Sequence, residues 1–564
     1  MRAEKGAVVK PRGGRTTVCL VYPNTYYVGM SSLGLQTVYR IINGRADALA
    51  ERAFIPDEPD RQEFLKTGTP LFALESQSPV NSFDIVAFSV SFENDYAGVA
   101  EAMRLAKLPL YSESRGDGHP LVILGGIASF FNPEPLAPFF DAVIIGEAEE
   151  ALPEFLDAYE AQKLTLSRDA LLKQLAEIPG VYVPSLYSPS YKQDGAFEAF
   201  RTAPGAPERI TRRRATDLDA TPAHSVITTP NTEFGEMYMT EVSRGCGRHC
   251  RFCMAGYIYR PPRHRGLESV SEDILEGGRR TGRVGLVGAA VSDYPHISGL
   301  VERFSGMDID FSASSLRADS LTPELARLIA KGNRSAAIAP EAGTERLRAV
   351  INKNITDEHV TGAVRMLIEA GILNVKLYFM VGLPTETETD IDGIVSLSQA
   401  ARDEMVASAK AKGRLGRMTL SVNCFIPKPW TPFQWEAMEP ADSLNGKLRR
   451  IKKALKGLPN LSVIHDTPKR AWLQAALSRG DRRLAPVIAA ASENDGDWKA
   501  AFAASGLDME FYAGRLRGKD ELFPWDFLDT RIEKKYLMKE HARALEGKHT
   551  PPCKVGKCRT CGVC

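Results

Sequence analysis

The sequence predicts an α/β fold class: an N-terminal doubly wound domain, then a partial (β/α)6 barrel, then a helical C-terminal region. Three observations carry this expectation. Runs rich in Val, Ile and Leu alternate with helical patterns in two separate stretches, the alternation weakens between them, and after Glu439 only helical periodicity is left. Aliphatic runs without polar alternation are buried on both faces, which is the condition of strands in a parallel sheet covered by helices.

In the first stretch, 15–165, the strands are read as TTVCLVYP (16–23), DIVAFSVSF (84–92), HPLVILGG (119–126) and DAVIIGE (141–147). The helical pattern from Gly34 through Ile42 and the segment YAGVAEAMRLA separate them, and EEALPEFLDAYEA closes the unit. Ligands of such sheets bind beyond the carboxyl ends of the strands. Here that edge carries Pro23 to Gly34, Ser89 to Asn94, Gly125-Gly126 and Gly146-Glu147. Residues 166–235 read as a short β-rich connector, and its RRR run (212–214) as a solvated charge run rather than an RNA or phosphate contact. Residues 236–440 offer six strands, at 237–243, 283–288, 308–314, 335–341, 374–382 and 418–427, with helices between nearly all of them. An incomplete barrel of this kind places its site at the C-terminal ends of the strands. Residues 441–548 read as helical, including the basic helix LRRIKKALK with its charges toward solvent, and 549–564 form a cysteine-rich tail.

Composition narrows the function classes. Lys and Arg (71) nearly cancel Asp and Glu (70), so no global field steers the chain toward nucleic acid or an anionic membrane. No run of about 18 apolar residues exists and the basic N-terminus is not followed by an apolar signal region, so a cytoplasmic protein without a membrane partner is expected. Of nine cysteines, seven fall in two tight clusters, which in a reducing compartment means metal rather than disulfides. Cys19 and Cys424 read as buried strand cysteines with no assigned role.

The first cluster, in EVSRGCGRHCRFCMAG, is C-x3-C-x2-C directly after a strand: Cys246, Cys250 and Cys253. Three thiolates on one short loop can hold three irons of a cubane and leave the fourth open. A zinc site would need a further ligand, with His249 and His264 in reach by sequence. The second cluster, PPCKVGKCRTCGVC, supplies Cys553, Cys558, Cys561 and Cys564, four soft ligands suited to a second iron-sulfur cluster or a structural zinc.

With Phe252 before Cys253, the first cluster resembles the signature of the radical S-adenosylmethionine (SAM) superfamily. VGAA (287–290), PEAGTERLR (340–348) and YFMVGLPTET (378–387) resemble motifs of the branch with a MiaB-type core, although the acidic residue usual beside VGAA is absent. The first domain is similar to the B12-binding-like module that precedes many such barrels, through LGLQTVYRIIN, FSVSFENDY, LGGIASFFNPEPL and DAVIIGEAEEAL. Its loop PNTYYVGMSSLGL lacks the Asp-x-His-x-x-Gly motif, so no His is available to coordinate cobalt. Together with SRGDRR (478–483), PWDF (524–527) and the four-cysteine tail, nearly the whole chain resembles one branch of radical SAM proteins without a known substrate.

That resemblance implies a 4Fe-4S cluster on Cys246, Cys250 and Cys253 whose open iron takes the amino and carboxylate groups of SAM. Gly288, Ala289 and Ala290 would let the backbone approach the methionine part, and Glu341 would accept hydrogen bonds from the ribose. A reducing electron donor and a substrate, small molecule or RNA, are the implied partners. Relatives with such a module either bind cobalamin without the His or keep only its fold. Methyl transfer is implied in the first case, and sulfur insertion, rearrangement or oxidation stay open in the second. A non-catalytic iron-sulfur or RNA-binding protein on the same scaffold is the competing reading.

Overall fold

The computed structural model describes residues 3–410 and 413–564. Its first sheet contains β1 (Thr16–Tyr22), β2 (Ala48–Phe54), β3 (Ile85–Ser89), β4 (Leu121–Gly125), β5 (Ala142–Ile144) and β6 (Val181–Tyr182), in the order β2-β1-β3-β4-β5-β6. The pairings are parallel as far as β5, and β6 runs antiparallel to β5. β6 and the helix Arg168–Leu175 just before it lie in the stretch expected as connector. The strand β2 was not expected, because Glu51 and Arg52 interrupt its apolar run. All seven of its residues are nevertheless buried, since the Arg52 guanidinium bonds Glu4 (2.8 Å) and Glu75 (2.7 Å). A buried charge is tolerated when it is paired in this way.

A hairpin of β7 (Tyr187–Tyr191) and β8 (Phe197–Thr202) leads to β9 (Ile210–Thr211). The RRR run that follows corrects the expectation of a solvated charge run. Arg212 is buried and donates to the Arg260 carbonyl (3.1 Å), with burial lowering its pKa to about 10, while Arg213 grips Glu154 at 2.7 and 2.8 Å. Sequence could not locate the acids and carbonyls, distant along the chain, that receive these guanidinium groups.

The second parallel system has β10 (Tyr238–Glu241), then β11 (Ser243–Arg244) paired antiparallel with β12 (Arg263–His264), then β13 (Arg283–Val287) and β14 (Asp310–Ala313). It continues with β15 (Ser335–Glu341), β16 (Asn374–Val381), β17 (Arg417–Cys424) and β18 (Leu461–His465). The orders are β10-β13-β14 and β15-β16-β17-β18, joined by a parallel bridge from Leu316 to Ile338. Six strands were expected. The seventh, β18, lies in the region read as helical; only five residues long and half-exposed, it lacks a buried-strand signature. Val375, Leu377, Phe379 and Val381 are buried while Lys376, Tyr378 and Met380 between them are half-buried, the alternation of a strand with helices on one side only.

The C-terminal region is helical, and β19 (Leu528–Asp529) pairs with β9 to tie it back to the connector. One hydrophobic core runs from a face of the first sheet through the barrel's shell into these helices, and the other face of the first sheet has its own core. No helix among the described residues is long and apolar enough to cross a membrane.

Candidate active site

The β11/β12 pair brackets the loop that carries the first cysteine cluster, so its two ends are fixed to each other. Arg244 and Arg263, on those strands, meet the carboxyl edge of the first sheet. Arg263 donates to both Glu147 oxygens (2.6 and 2.7 Å), and Arg244 bonds Glu147 (2.9 Å), Glu149 (2.8 Å) and Glu241 (2.7 Å). Burial works to raise the Glu147 pKa, but Arg263 and Arg244 prevail and hold it below the usual carboxylate range.

Burial pushes the Cys253 thiol up to about 12, and charge on Cys250 and Cys246 adds to the shift; Cys246 is raised by burial and then by Cys250. A cationic metal centre would offset this cost of ionising Cys246 and Cys253. Arg317 supplies positive charge beside Cys246 and Cys250, and it is held by Asp319 (2.9 Å). Beside Cys246 opens a cavity of about 430 Å3, walled also by Arg248, His264, Ala290, Asp293, Tyr294 and Cys553. That lies within the range of about 300–1,000 Å3 typical of small-molecule sites, and Cys246 is the one cysteine of the loop that lines it.

The other expected residues distribute as follows. Ala290 lines this cavity and Ala289 is exposed. Gly288 exchanges hydrogen bonds with Ser314 (3.2 and 3.0 Å), and a Cβ there would stand 2.8 Å from the Ser243 hydroxyl. Glu341 ends β15 at a bulge with φ 71°, a left-handed conformation unusual for a non-glycine residue, and pairs with Lys353 at 3.4 Å. It does not line the cavity beside Cys246. His249 faces away from the thiols: its Nδ1 contacts the Tyr536 hydroxyl and Arg260 Nη2, both at 2.6 Å. Burial, then Arg260 and Arg251, lower its pKa to about 3, so it is neutral.

Sequence reading missed Asn352. Buried and left-handed (φ 55°), its side-chain amide donates to the carbonyls of Arg248 (3.1 Å), His249 (3.3 Å) and Thr550 (3.0 Å), and its Oδ1 accepts from Thr550 N–H (2.8 Å). It therefore joins the cysteine loop, the segment after β15 and the tail. An Asn in INKN gives no sign of such partners; its neighbour Asn354, also left-handed, is the sole local hint of an irregular turn.

A second cleft, about 240 Å3, lies between the carboxyl edge of the first sheet (Ser89, Gly126, Gly146) and the barrel residues Glu241, Arg244 and Val287. No His lines it, and the Arg244 ion pairs occupy one wall. Drug-sized ligands take roughly 300–1,000 Å3, so this cleft as it stands is smaller than a corrin.

Residues 34–184 match the family described as radical SAM proteins, N-terminal, and residues 240–397 match the radical SAM superfamily. The chain is 29% identical over 507 residues to an uncharacterized protein of Methanocaldococcus jannaschii, covering 89% of this chain and 97% of that one. It is 24% identical over 191 residues to the tRNA-2-methylthio-N(6)-dimethylallyladenosine synthase of Chromohalobacter salexigens, which is 30% of this chain and 41% of the synthase, so it spans less than half of that relative. Among solved structures it is similar to the cobalamin-dependent S-adenosylmethionine radical enzyme OxsB, at 15% identity and a TM-score of 0.43 over 68% of this chain and 52% of that one.

Proposed function

Because the chain belongs to the radical SAM superfamily, carrying both its N-terminal and its core domain, we propose that it cleaves SAM reductively at a 4Fe-4S cluster and uses the resulting 5'-deoxyadenosyl radical to modify a substrate. The observation that carries this reading is the match of residues 240–397, which include Cys246, Cys250 and Cys253, to the radical SAM superfamily, with Cys246 and Ala290 lining one cavity.

Under this reading the three thiolates hold the cluster, which supplies the electron for carbon–sulfur cleavage. The chain's own residues do the rest. Arg317 offsets thiolate charge beside Cys246 and Cys250, and Arg248, clamped by Asp293 (2.5 and 2.8 Å), keeps the loop in place at the cavity wall. Gly288 leaves its backbone close to Ser243, and Glu341, paired with Lys353 outside the cavity beside Cys246, would meet ribose hydroxyls where SAM extends past that cavity. The Glu147–Arg263–Arg244 group holds the first domain against the loop and screens it from water on that side.

The test is anaerobic reconstitution with iron, zinc and cobalt counted and 5'-deoxyadenosine assayed under dithionite. Wild type is expected to form 5'-deoxyadenosine and to carry about four irons at this site. The Cys246→Ala/Cys250→Ala/Cys253→Ala variant should lose both. A loaded wild type that neither binds nor cleaves SAM would favour the non-catalytic reading. A cobalt count near zero would remove cobalamin-dependent methylation, and about one cobalt per chain would support it.

RNA is a second reading of the substrate, favoured by the 24% identity of the core to the tRNA-modifying synthase. Arg449, Lys452 and Lys453 on helix Ala441–Leu455 are exposed, whereas Arg450 is engaged by Asp392 at 2.7 and 2.9 Å. Salt-sensitive tRNA binding is the expected outcome under this reading; no retention at low salt would sink it.

A further inference from the structure

The inner face of the β15–β18 sheet carries a charge that no group of the chain offsets. On β16 the side chains that alternate with the buried row, Lys376, Tyr378 and Met380, point away from the covering helices and stay half-buried. Register continues the same face across the sheet: Lys376 stands between Ala337 and Thr419, Tyr378 beside Ser421, Met380 beside Asn423, and Ser462 next to Thr419. A closed barrel fills its interior with layers of branched apolar side chains. Here the face is polar, and Lys376, Thr419, Asn423 and Ser462 keep part of their surface accessible, so it borders open space rather than a packed core.

The other charges on the barrel's inner face are accounted for. Glu241 is taken by Arg244 (2.7 Å) and Glu341 by Lys353 (3.4 Å). Arg283 and Asp310 are register partners at the amino ends of β13 and β14, so opposite charges stand side by side, and Arg417 opens to solvent at the amino end of β17. Lys376 has no such partner: among the described residues no carboxylate pairs with it and no acceptor takes a hydrogen bond from its ammonium, which lies 4.7 Å from the centre of the Tyr378 ring. A ring face attracts a cation without neutralising it. Tyr378 is two residues nearer the carboxyl end of the strand, so the ammonium is turned toward the end of the barrel that carries the site. The Tyr378 hydroxyl and the Asn423 amide beside it make no side-chain hydrogen bond among the described residues, which leaves further donors on the same face. Glu341 is level with Phe379, three residues beyond Lys376 along β16, a rise of about 10 Å. A molecule held at Lys376 would therefore extend up the barrel toward the ribose end of SAM.

We propose that the substrate carries an anionic group, a carboxylate or a phosphate, which Lys376 binds on the inner face of the barrel with Tyr378 and Asn423 as flanking donors. An anion there supplies the charge that a half-buried ammonium lacks, and charge-assisted hydrogen bonds to it are the strong kind. The anion site rests on reading the barrel as the chamber of a radical SAM reaction, so its test is run without SAM cleavage.

The full chain, reconstituted anaerobically with iron and sulfide, is acetylated with a sulfo-N-hydroxysuccinimide ester while inorganic phosphate or acetate is titrated in at constant ionic strength, and the rate at each lysine is read by peptide mass mapping. Lys452 and Lys453, exposed on helix Ala441–Leu455, report charge screening alone. Acetylation of Lys376 should slow about tenfold when the anion stands at about ten times its Kd, while those two keep their rates. Protection by phosphate at lower concentration than acetate points to a phosphorylated substrate, and the reverse order to a carboxylate. In a second measurement the same anion should raise the Tm of wild type by a margin that disappears in Lys376→Met and persists in Lys376→Arg, which keeps the charge. A lysine that merely packs on Tyr378 would leave the margin the same in Lys376→Met. Slowing of Lys376 no greater than that of Lys452 and Lys453 with both anions, or a margin that survives in Lys376→Met, would overturn the anion site. A protected Lys376 in a chain that neither binds nor cleaves SAM would keep the anion site and sink the radical reading, and 5'-deoxyadenosine formation with an unprotected Lys376 would do the opposite.

Discussion

At the scale of single residues, the site depends on groups that sequence does not advertise. Asn352 donates three hydrogen bonds to carbonyls of the cysteine loop and tail. Asn352→Asp keeps the shape and replaces the donor amide with an acceptor facing those oxygens, so the cluster should be lost to chelators roughly tenfold faster and thermal unfolding should begin earlier. Iron retention over time checks this. The C-x3-C-x2-C spacing of Cys246, Cys250 and Cys253 was legible in the sequence, and it falls within the match to the radical SAM superfamily. The role of Asn352 was not, because it arises from a partner distant in sequence, Thr550. Glu341→Gln, which retains the shape and removes the charge, should weaken SAM binding while leaving cluster content unchanged, as equilibrium dialysis would show.

At the scale of elements, β10 is locked to the helix Leu267–Thr281 by Asp273, which accepts from Thr240 (2.8 Å) and Arg265 (2.6 Å) and pairs with His224 (3.1 Å). Burial opposes ionisation of Asp273, but hydrogen bonds from His224 and Arg265 outweigh it and bring the pKa to about 2. A carboxyl depressed on folding contributes stability above its unfolded pKa of about 3.9 and loses it as pH falls through the folded value. Asp273→Asn should therefore destabilise by about 3 kcal/mol near neutrality, since it strips a nearly buried Arg265 of its charge partner. The gap to wild type should narrow between pH 4 and 2; denaturant melts across that range would show it, and a constant gap would refute it. The same logic explains which elements could be read in advance. Uninterrupted aliphatic strands such as β1, β3 and β4 were, while β2, carrying a paired Arg52, and the short, half-exposed β18 were not.

At the scale of the whole molecule, the first domain is clasped to the barrel by buried charges: Glu147 with Arg263 and Arg244, and Glu93 with Lys428 and Gln474 (3.0 Å). Glu147→Ala leaves Arg263 without its carboxylate, while Arg244 keeps Glu149 and Glu241, and should cost about 3 kcal/mol. The loss should register as faster proteolysis and hydrogen exchange at β11/β12; protection equal to wild type would show that apolar packing alone holds the domains. The two-part architecture was legible from its alternations, but this clasp was not, because its partners lie between 97 and 381 residues apart.

The left-handed backbones of His249, Glu341, Asn352 and Asn354 have a consequence for anyone selecting sturdier variants of this protein. Glycine adopts such conformations without the steric penalty an L side chain bears, about 1 kcal/mol or more per position. A screen for heat tolerance alone would be rewarded for placing glycine at Glu341 or Asn352, and each reward would erase the carboxylate paired with Lys353 or the amide that ties the cysteine loop to the tail. Robustness and competence pull in opposite directions at these positions, so a thermostability campaign should hold them fixed and seek its gains elsewhere.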